Sequence, residues 1–175
     1  MGIQGSGKST QGNLLSEKLG IPYLSTGHIF RLLAQEKTNL GRYIKETMNA
    51  GYLIPDRKTV KIVNDYLVRD EYKKGYILDG FPRTLFQIKS FKEPIDKVFY
   101  IKVSDSEALK RLSLRNGEQA REDDTEKAIQ KRIDLFHRFT EPVLTYYRQK
   151  GLLLEINGER TVEEIHREIM SRIKK

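Results

Sequence analysis

Several residue types and patterns are missing from this chain of 175 residues, and each absence excludes a class of protein. There is no cysteine, so disulfide bridges and zinc sites built from thiolates are excluded. No apolar run approaches the ~20 residues that a membrane-spanning helix needs. The glycine-rich, polar N-terminus also does not resemble a signal peptide. We therefore expect a cytoplasmic protein with no membrane partner.

The charge is unbalanced but dispersed. Lysine and arginine total 32 against 24 acidic residues, which gives a net charge of +8 and a pI near 9.5. Such a surplus suits polyanionic partners, either nucleic acid or nucleotides. The basic residues form no long block, which weakens the nucleic-acid interpretation. With three histidines and no cysteine, a transition-metal site is not expected either.

The strongest motif lies between Gly2 and Thr10, in the sequence GIQGSGKST. It matches the phosphate-binding P-loop, in which a glycine and four further residues precede Gly-Lys-Ser/Thr. Glycines let the backbone turn so that successive N–H groups point at one anion. We expect Lys8 to meet the β- and γ-phosphates of a nucleotide, and the Ser9 hydroxyl to meet Mg²⁺. A flexible glycine-rich start is the alternative, but a helical pattern follows at once, as the motif requires.

The rest of the chain alternates between helical and extended patterns. Helices are predicted at 8–19, 26–36, 39–50, 56–72, 84–91, 104–114, 125–136, 141–149 and 161–175, and strands at 21–25, 75–80, 97–103 and 152–156. Asp56, Ser104 and Thr161 are predicted to cap their helices. Alternation of this kind is typical of an α/β fold with a parallel sheet between helix layers, here of the P-loop NTPase type.

A carboxylate and several arginines extend the chemistry beyond the P-loop. Asp79 ends a predicted strand, where it can hold Mg²⁺ directly or through water, although a simple turn aspartate is the alternative. Arginine suits phosphoryl transfer because its planar fork binds phosphate oxygens bidentately. The candidates are Arg31, Arg83, Arg115, Arg121 and Arg132. Any one of them taken alone is more often a solvated surface charge, so the interpretation depends on several arginines lying around a P-loop and a metal carboxylate.

Four segments follow the P-loop in a familiar order: 25–31 (STGHIFR), 78–87 (LDGFPRTLFQ), 111–115 (RLSLR) and 121–124 (REDD). Over nearly its whole length the chain resembles the adenylate kinases, and the DGFPR element is highly specific to nucleoside monophosphate kinases. The resemblance implies one P-loop kinase domain over 1–175. It also implies reversible transfer of the γ-phosphoryl group of Mg-ATP to AMP, giving two ADP, as part of nucleotide homeostasis.

The resemblance also implies a role for individual residues. ATP would be bound by Gly5, Ser6, Gly7, Lys8, Ser9, Thr10, Arg111 and Arg115, and AMP by Thr26, Arg31, Ile54, Gly80, Arg83, Gln87, Arg121 and Arg132. The catalytic residues would be Lys8, Arg83, Arg115, Arg121 and Arg132. Ser9 and Asp79 would hold Mg²⁺, and no zinc is implied. Thr26 and Gln87 favour AMP as the acceptor, since pyrimidine-specific relatives tend to carry alanine and asparagine there.

Two segments are implied to stand apart from the core: a helical AMP-binding excursion at 26–56 and a short lid at 115–124. Three features depart from the family. His28 replaces the usual aspartate, which puts the magnesium shell in doubt, and Ser9 replaces a common glycine. The third is that the P-loop begins at residue 2, so the central strand of a five-stranded sheet is expected to be missing, which would expose two strand edges.

Three other interpretations remain open besides a monomeric adenylate kinase whose partners are ATP, AMP and ADP. The chain could phosphorylate another nucleoside monophosphate. It could bind nucleotides with little turnover, because of His28 and the missing strand. It could also bind nucleic acid, an interpretation that depends on charge alone.

Overall fold

A computed structural model describes residues 1–114 and 125–173. The strands are β1 (Tyr23–Ser25), β2 (Ile77–Asp79), β3 (Val98–Lys102) and β4 (Leu153–Asn157). The α-helices are α1 (Lys8–Leu19), α2 (Thr26–Gln35), α3 (Asn39–Asn49), α4 (Asp56–Leu67), α5 (Leu85–Ser90), α6 (Asp105–Ser113), α7 (Glu126–Leu135), α8 (Glu141–Gln149) and α9 (Val162–Ile173). None of these helices is both long enough and apolar enough to cross a membrane. The predicted α/β class is confirmed.

The strands form two separate parallel pairs, β1 with β2 and β3 with β4. In the first pair Ser25 lies opposite Asp79, so the carboxyl ends of both strands meet at one edge. Beside β3 lies Met1, whose amino group donates to the Phe99 carbonyl and whose own carbonyl accepts from the Ile101 N–H at 2.9 Å. Within the described ranges, the predicted sheet is therefore split into two pairs of strands. Met1 alone occupies the position of a neighbouring strand beside β3.

Hydrophobic packing joins the two pairs of strands. One buried cluster contains Leu15 of α1 together with Ile101 of β3 and Ile156 of β4, and Ile77 of β2 packs against it. Burying apolar side chains contributes about 25 cal/mol for each Å² removed from water. Helix α1, which carries the end of the P-loop, is thereby fixed against both halves of the sheet.

Helix starts follow the capping signals in the sequence, with one exception. The Ser104 hydroxyl accepts from the Glu107 N–H at the start of α6, and Thr161 and Glu164 form a reciprocal pair of bonds at the start of α9. The prediction for Asp56 is wrong, because Pro55 precedes the first turn of α4 and no side chain caps it. Asp56 lies inside the helix, and its carboxylate binds Gln87 instead.

Candidate active site

The P-loop folds as its sequence predicts. Gly5 and Gly7 both have positive φ, and Gly7 directly precedes the first residue of α1. No acidic residue lies in the first turn of this helix, so no carboxylate of that turn competes for its unpaired N–H groups. A β-carbon at Gly5 would come within 2.8 Å of the Ala108 carbonyl oxygen, so the loop also packs closely on α6. The loop therefore presents backbone N–H groups and a helix N-terminus, which together favour an anion.

The Lys8 side chain closes over its own loop. Its ammonium donates to the Ile3 carbonyl at 2.6 Å and approaches the Ser6 hydroxyl at 3.4 Å. Both acceptors belong to the loop, so the positive charge lies above the turn that would hold the phosphates. Ser6 itself is fully buried behind the loop.

A cleft of about 660 Å³ opens beside the P-loop and brings most of the predicted site residues together. Its lining includes Gly5, Gly7, Lys8, Ser9, Thr10, Arg31, Ile54, Asp79, Gly80, Arg83, Gln87, Arg111 and Arg132. Ser6 and Thr26 are buried and do not line the cleft. Arg115 and Arg121, with the whole predicted lid at 115–124, lie outside the described residues.

Asp79 ends β2 at the floor of the cleft. Its carboxylate oxygen Oδ2 accepts from the Tyr23 hydroxyl at 2.8 Å, and the other oxygen, Oδ1, is buried with no hydrogen-bond partner. Burial alone would raise the pKa of Asp79. The charge of Lys8 and the bond from Tyr23 outweigh burial and lower this pKa below its usual value. Asp79 is therefore a carboxylate at neutral pH.

The donors on this floor suit magnesium. Mg²⁺ prefers oxygen ligands, and it usually keeps several waters while binding one or two carboxylates and the substrate phosphates. Asp79 offers an unpartnered carboxylate oxygen, and Ser9 offers a hydroxyl in the same cleft. No group of three or more His, Cys, Asp or Glu side chains forms a metal cage within the described ranges. The residues present therefore fit a metal that arrives with a nucleotide.

Three of the arginines that line the cleft, Arg31, Arg83 and Arg132, lie close enough to influence one another electrostatically. Arg83 is held by a bond from its Nε to the Gly80 carbonyl at 2.8 Å. Burial lowers the pKa of Arg83, Asp79 raises it, and the neighbouring charges of Arg132 and Arg31 lower it further. Arginine nevertheless remains protonated in proteins. Repulsion among three cations is relieved when an anion binds between them, so this part of the cleft favours a phosphate group.

Arg132 and Arg111 are held by partners at two other walls of the cleft. Arg132 donates to the Gln4 side chain of the P-loop at 3.0 Å and to the Met48 carbonyl at the end of α3 at 2.9 Å. It thus links α7 to the P-loop and to the 26–56 segment. Arg111 forms an ion pair with Glu107 one turn earlier on α6, at 2.7 Å. Both side chains are therefore oriented within the cleft before any nucleotide binds.

The residues expected to read the AMP base lie together behind Arg83. The Gln87 side chain donates to Asp56 at 2.7 Å and accepts from the Arg83 N–H at 2.7 Å. One N–H and one lone pair of its amide are left over from these two bonds. The Thr26 hydroxyl donates to the Asp79 carbonyl at 3.2 Å, and Ile54 is almost fully buried in the wall.

Sequence reasoning missed two residues of this site, Tyr23 and Asp56. Tyr23 precedes Ser25 by two positions, and alternate residues of a strand share one face. The pairing of Ser25 with Asp79 therefore brings the Tyr23 side chain toward the same carboxylate. That signal appears only once β1 and β2 are known to be neighbours. Asp56 was assigned to the helix cap, which is the commoner role for aspartate at a helix start.

Comparisons with known proteins agree with this geometry. A family model described as "Adenylate kinase" matches residues 1–152. The adenylate kinase of Bifidobacterium longum (strain NCC 2705) is 40% identical over 180 residues, which cover 99% of this chain and 97% of that protein. The adenylate kinase of Caldicellulosiruptor saccharolyticus is 35% identical over 204 residues, which cover 97% of this chain and 95% of that protein. Matches of this length, to relatives covered almost end to end, show that the chain belongs to the adenylate kinase family and is a nucleoside monophosphate kinase.

Proposed function

We propose that this chain transfers the γ-phosphoryl group of ATP reversibly to AMP, giving two ADP, in the cleft between the P-loop and Arg83. The observation that supports this is the convergence of Lys8, Asp79 and four arginines on one cleft of about 660 Å³. Phosphoryl transfer needs little covalent chemistry from a protein. It needs alignment of donor and acceptor, and neutralisation of charge.

The P-loop binds the triphosphate in this proposal. Backbone N–H groups of residues 5–10 and the N-terminus of α1 hold its β- and γ-phosphates. The Lys8 ammonium leaves the carbonyl of Ile3 and moves to the phosphate oxygens, where it meets a full negative charge. Arg111 lies against the adenine ring of ATP, and Arg115 also binds ATP.

Arg31 and Arg83 hold the phosphate of AMP. An oxygen of that phosphate attacks the γ-phosphorus atom, and the bond to the β,γ-bridging oxygen breaks, so that ADP is formed on both sides. Arg132, together with Arg115 and Arg121, stabilises the negative charge on the transferred group. Ser9 and Asp79 would hold Mg²⁺, which would supply positive charge beside the phosphate groups during transfer.

Acceptor choice depends on the wall behind Arg83. Ile54, Gly80 and Gln87 surround the base of AMP, Thr26 supports this wall from behind Gly80, and the segment 26–56 forms the AMP-binding part of the domain. The segment 115–124 closes over the phosphates as a short lid without zinc. We further propose a monomer that acts in the cytoplasm on free nucleotides, with no membrane or nucleic-acid partner.

ADP formation from Mg-ATP with AMP, CMP, UMP or GMP tests the proposal. We expect turnover with AMP and little with the other acceptors. A Lys8→Met variant is expected to lose turnover by at least about a hundredfold, since it removes the positive charge that stabilises the transferred phosphoryl group. Lys18→Met, at the exposed end of α1, is the matched control and should remain active. Preference for a pyrimidine acceptor, or ATP binding without ADP formation, would contradict the proposal.

A further inference from the structure

The hydrogen bond between Tyr23 and Asp79 crosses from β1 to β2 at the floor of the cleft. The Tyr23 hydroxyl donates to one carboxylate oxygen at 2.8 Å, while the other oxygen has no partner. A hydrogen bond to a charged group restricts it more strongly than a neutral bond does. Tyr23 therefore fixes the plane of the carboxylate and determines which oxygen is left for a ligand.

Gly12, in the middle of α1, makes room for the ring of Tyr23. A β-carbon at Gly12 would lie 2.3 Å from Cε2 of Tyr23, 2.8 Å from Cδ2 and 2.9 Å from Cζ. Carbon atoms do not approach one another so closely, so any larger residue at position 12 would displace the ring. Glycine inside a helix costs about 1 kcal/mol relative to alanine. Glycine therefore lies in helix α1 at the point where the Tyr23 ring packs against the helix and its hydroxyl reaches Asp79.

An unsatisfied oxygen on a buried carboxylate is costly in a folded protein unless a ligand completes it. Tyr23 occupies Oδ2, so Oδ1 is the oxygen that remains for the shell of a metal bound with ATP. We infer that Tyr23 is a positioning residue for Asp79 and that Gly12 makes this position accessible to its ring. The inference depends on the proposed function, because it assigns Asp79 to the magnesium site.

The first test removes the hydroxyl and keeps the ring, in a Tyr23→Phe variant. We expect the Mg²⁺ concentration for half-maximal ADP formation to rise about tenfold, because the bond that orients the carboxylate is lost. Calorimetry of ATP binding provides a second readout. ATP should bind more weakly than to wild type when Mg²⁺ is present, and equally well when EDTA removes the metal.

Tyr76→Phe is the matched control. The Tyr76 hydroxyl is also buried but has no hydrogen-bond partner, so its removal should leave both readouts unchanged. The inference is wrong if Tyr23→Phe leaves two quantities at their wild-type values, even where thermal stability falls. These are the magnesium dependence of ADP formation and the ratio of ATP affinities measured with Mg²⁺ and with EDTA. A wild-type chain that forms no ADP would instead contradict the proposed function, and calorimetry would still decide the role of Tyr23.

The second test uses Gly12→Ala. Alanine has the higher helix propensity, but its β-carbon would lie 2.3 Å from Cε2 of Tyr23, so a purely structural view predicts a change in stability and no change in the magnesium requirement. We expect instead a rise in the magnesium requirement similar to that of Tyr23→Phe, because the displaced ring no longer reaches Asp79. In the double variant the two effects should not add, since both break the same bond. Additive effects, or a Gly12→Ala enzyme with the wild-type magnesium requirement, would overturn the inference.

Discussion

At the scale of the residue, the amide of Gln87 is buried and engaged at both ends. It donates to Asp56 at 2.7 Å and accepts from the Arg83 N–H at 2.7 Å. We expect Gln87→Glu to lower the free energy of unfolding by about 3 kcal/mol at neutral pH, because it places a second carboxylate against that of Asp56. Urea unfolding followed by circular dichroism measures this change.

A second substitution at Asp56 should restore the hydrogen bond between positions 87 and 56. In the double variant Gln87→Glu and Asp56→Asn, the donor and acceptor exchange places, and the new carboxylate still accepts from the Arg83 N–H. Most of the lost stability should return, whereas Asp56→Asn alone leaves two amides that can reorient and should cost less than Gln87→Glu. If the double variant is no more stable than Gln87→Glu, the hydrogen bond is not the source of the loss.

Single residues were predictable from the sequence where a motif specifies both type and spacing. Lys8, Asp79 and Arg83 belong to such motifs, and all three line the cleft. Tyr23 and Asp56 could not be found in this way, because each acts through a contact between distant parts of the chain. Their partners lie 56 and 31 residues away along the chain. Spacing alone contains no information about such pairs.

At the scale of the element, helix starts were predicted closely because their signals are local, whereas the helix predicted at 56–72 ends at Leu67. Ser104 and Thr161 each cap a helix within one or two residues of the predicted start. The connection between α7 and α8 was not predicted: it is a π-helical turn from Phe136 to Thr140, which continues one helix into the next. Its hydrogen-bond pattern has no clear sequence signal, and tertiary packing selects it.

His137 lies in this π-helical turn and connects three elements. One ring nitrogen contacts Glu141 at the start of α8 at 2.6 Å, and the other contacts Asp105 at the start of α6 at 3.0 Å. The bond to Glu141 raises the pKa of His137, burial lowers it, and Asp105 raises it again, so the net change is upward. The protonated ring therefore ties α6, which leads into the 115–124 segment, to α8.

A pKa that is higher in the folded state stabilises the fold at low pH. The contribution of His137 is complete below its unfolded pKa of 6.5 and is lost as pH rises through the folded value. We expect the melting temperature of His137→Gln to lie about 2 °C below that of wild type at pH 5.5, because the contacts are partly exposed and screened. This difference should shrink at pH 9.

Asp105→Asn provides an intermediate control, since it keeps the contact between His137 and Glu141. Its melting temperature at pH 5.5 should lie between those of wild type and His137→Gln. High salt should reduce the differences in melting temperature among wild type, Asp105→Asn and His137→Gln, as expected for exposed charges. A difference between wild type and His137→Gln that stays constant from pH 5.5 to 9 would show that packing, and not charge, accounts for it.

At the scale of the whole molecule, the cleft is assembled from parts that are far apart in the sequence. Lys8 belongs to α1, Arg31 to α2 and Arg132 to α7. Asp79 is the last residue of β2, which pairs with β1. The general α/β arrangement followed from alternating patterns. The missing central strand was inferred from family resemblance, because no local pattern in the sequence indicates which strands are neighbours. A nucleotide that bridges these parts is expected to stabilise all of them together.

Melting curves with single nucleotides test both the coupling and the site assignment, because either nucleotide alone gives no turnover. A ligand at about 100 times its Kd adds roughly 2.7 kcal/mol, which should raise the melting temperature by about 5–10 °C. We expect AMP and ATP each to produce such a rise. Arg31→Met should abolish the AMP shift and keep the ATP shift, whereas Arg42→Met, exposed on α3 and outside the cleft, should keep both. Equal loss of both shifts in Arg31→Met would mean that Arg31 supports the fold of the cleft and not the AMP phosphate.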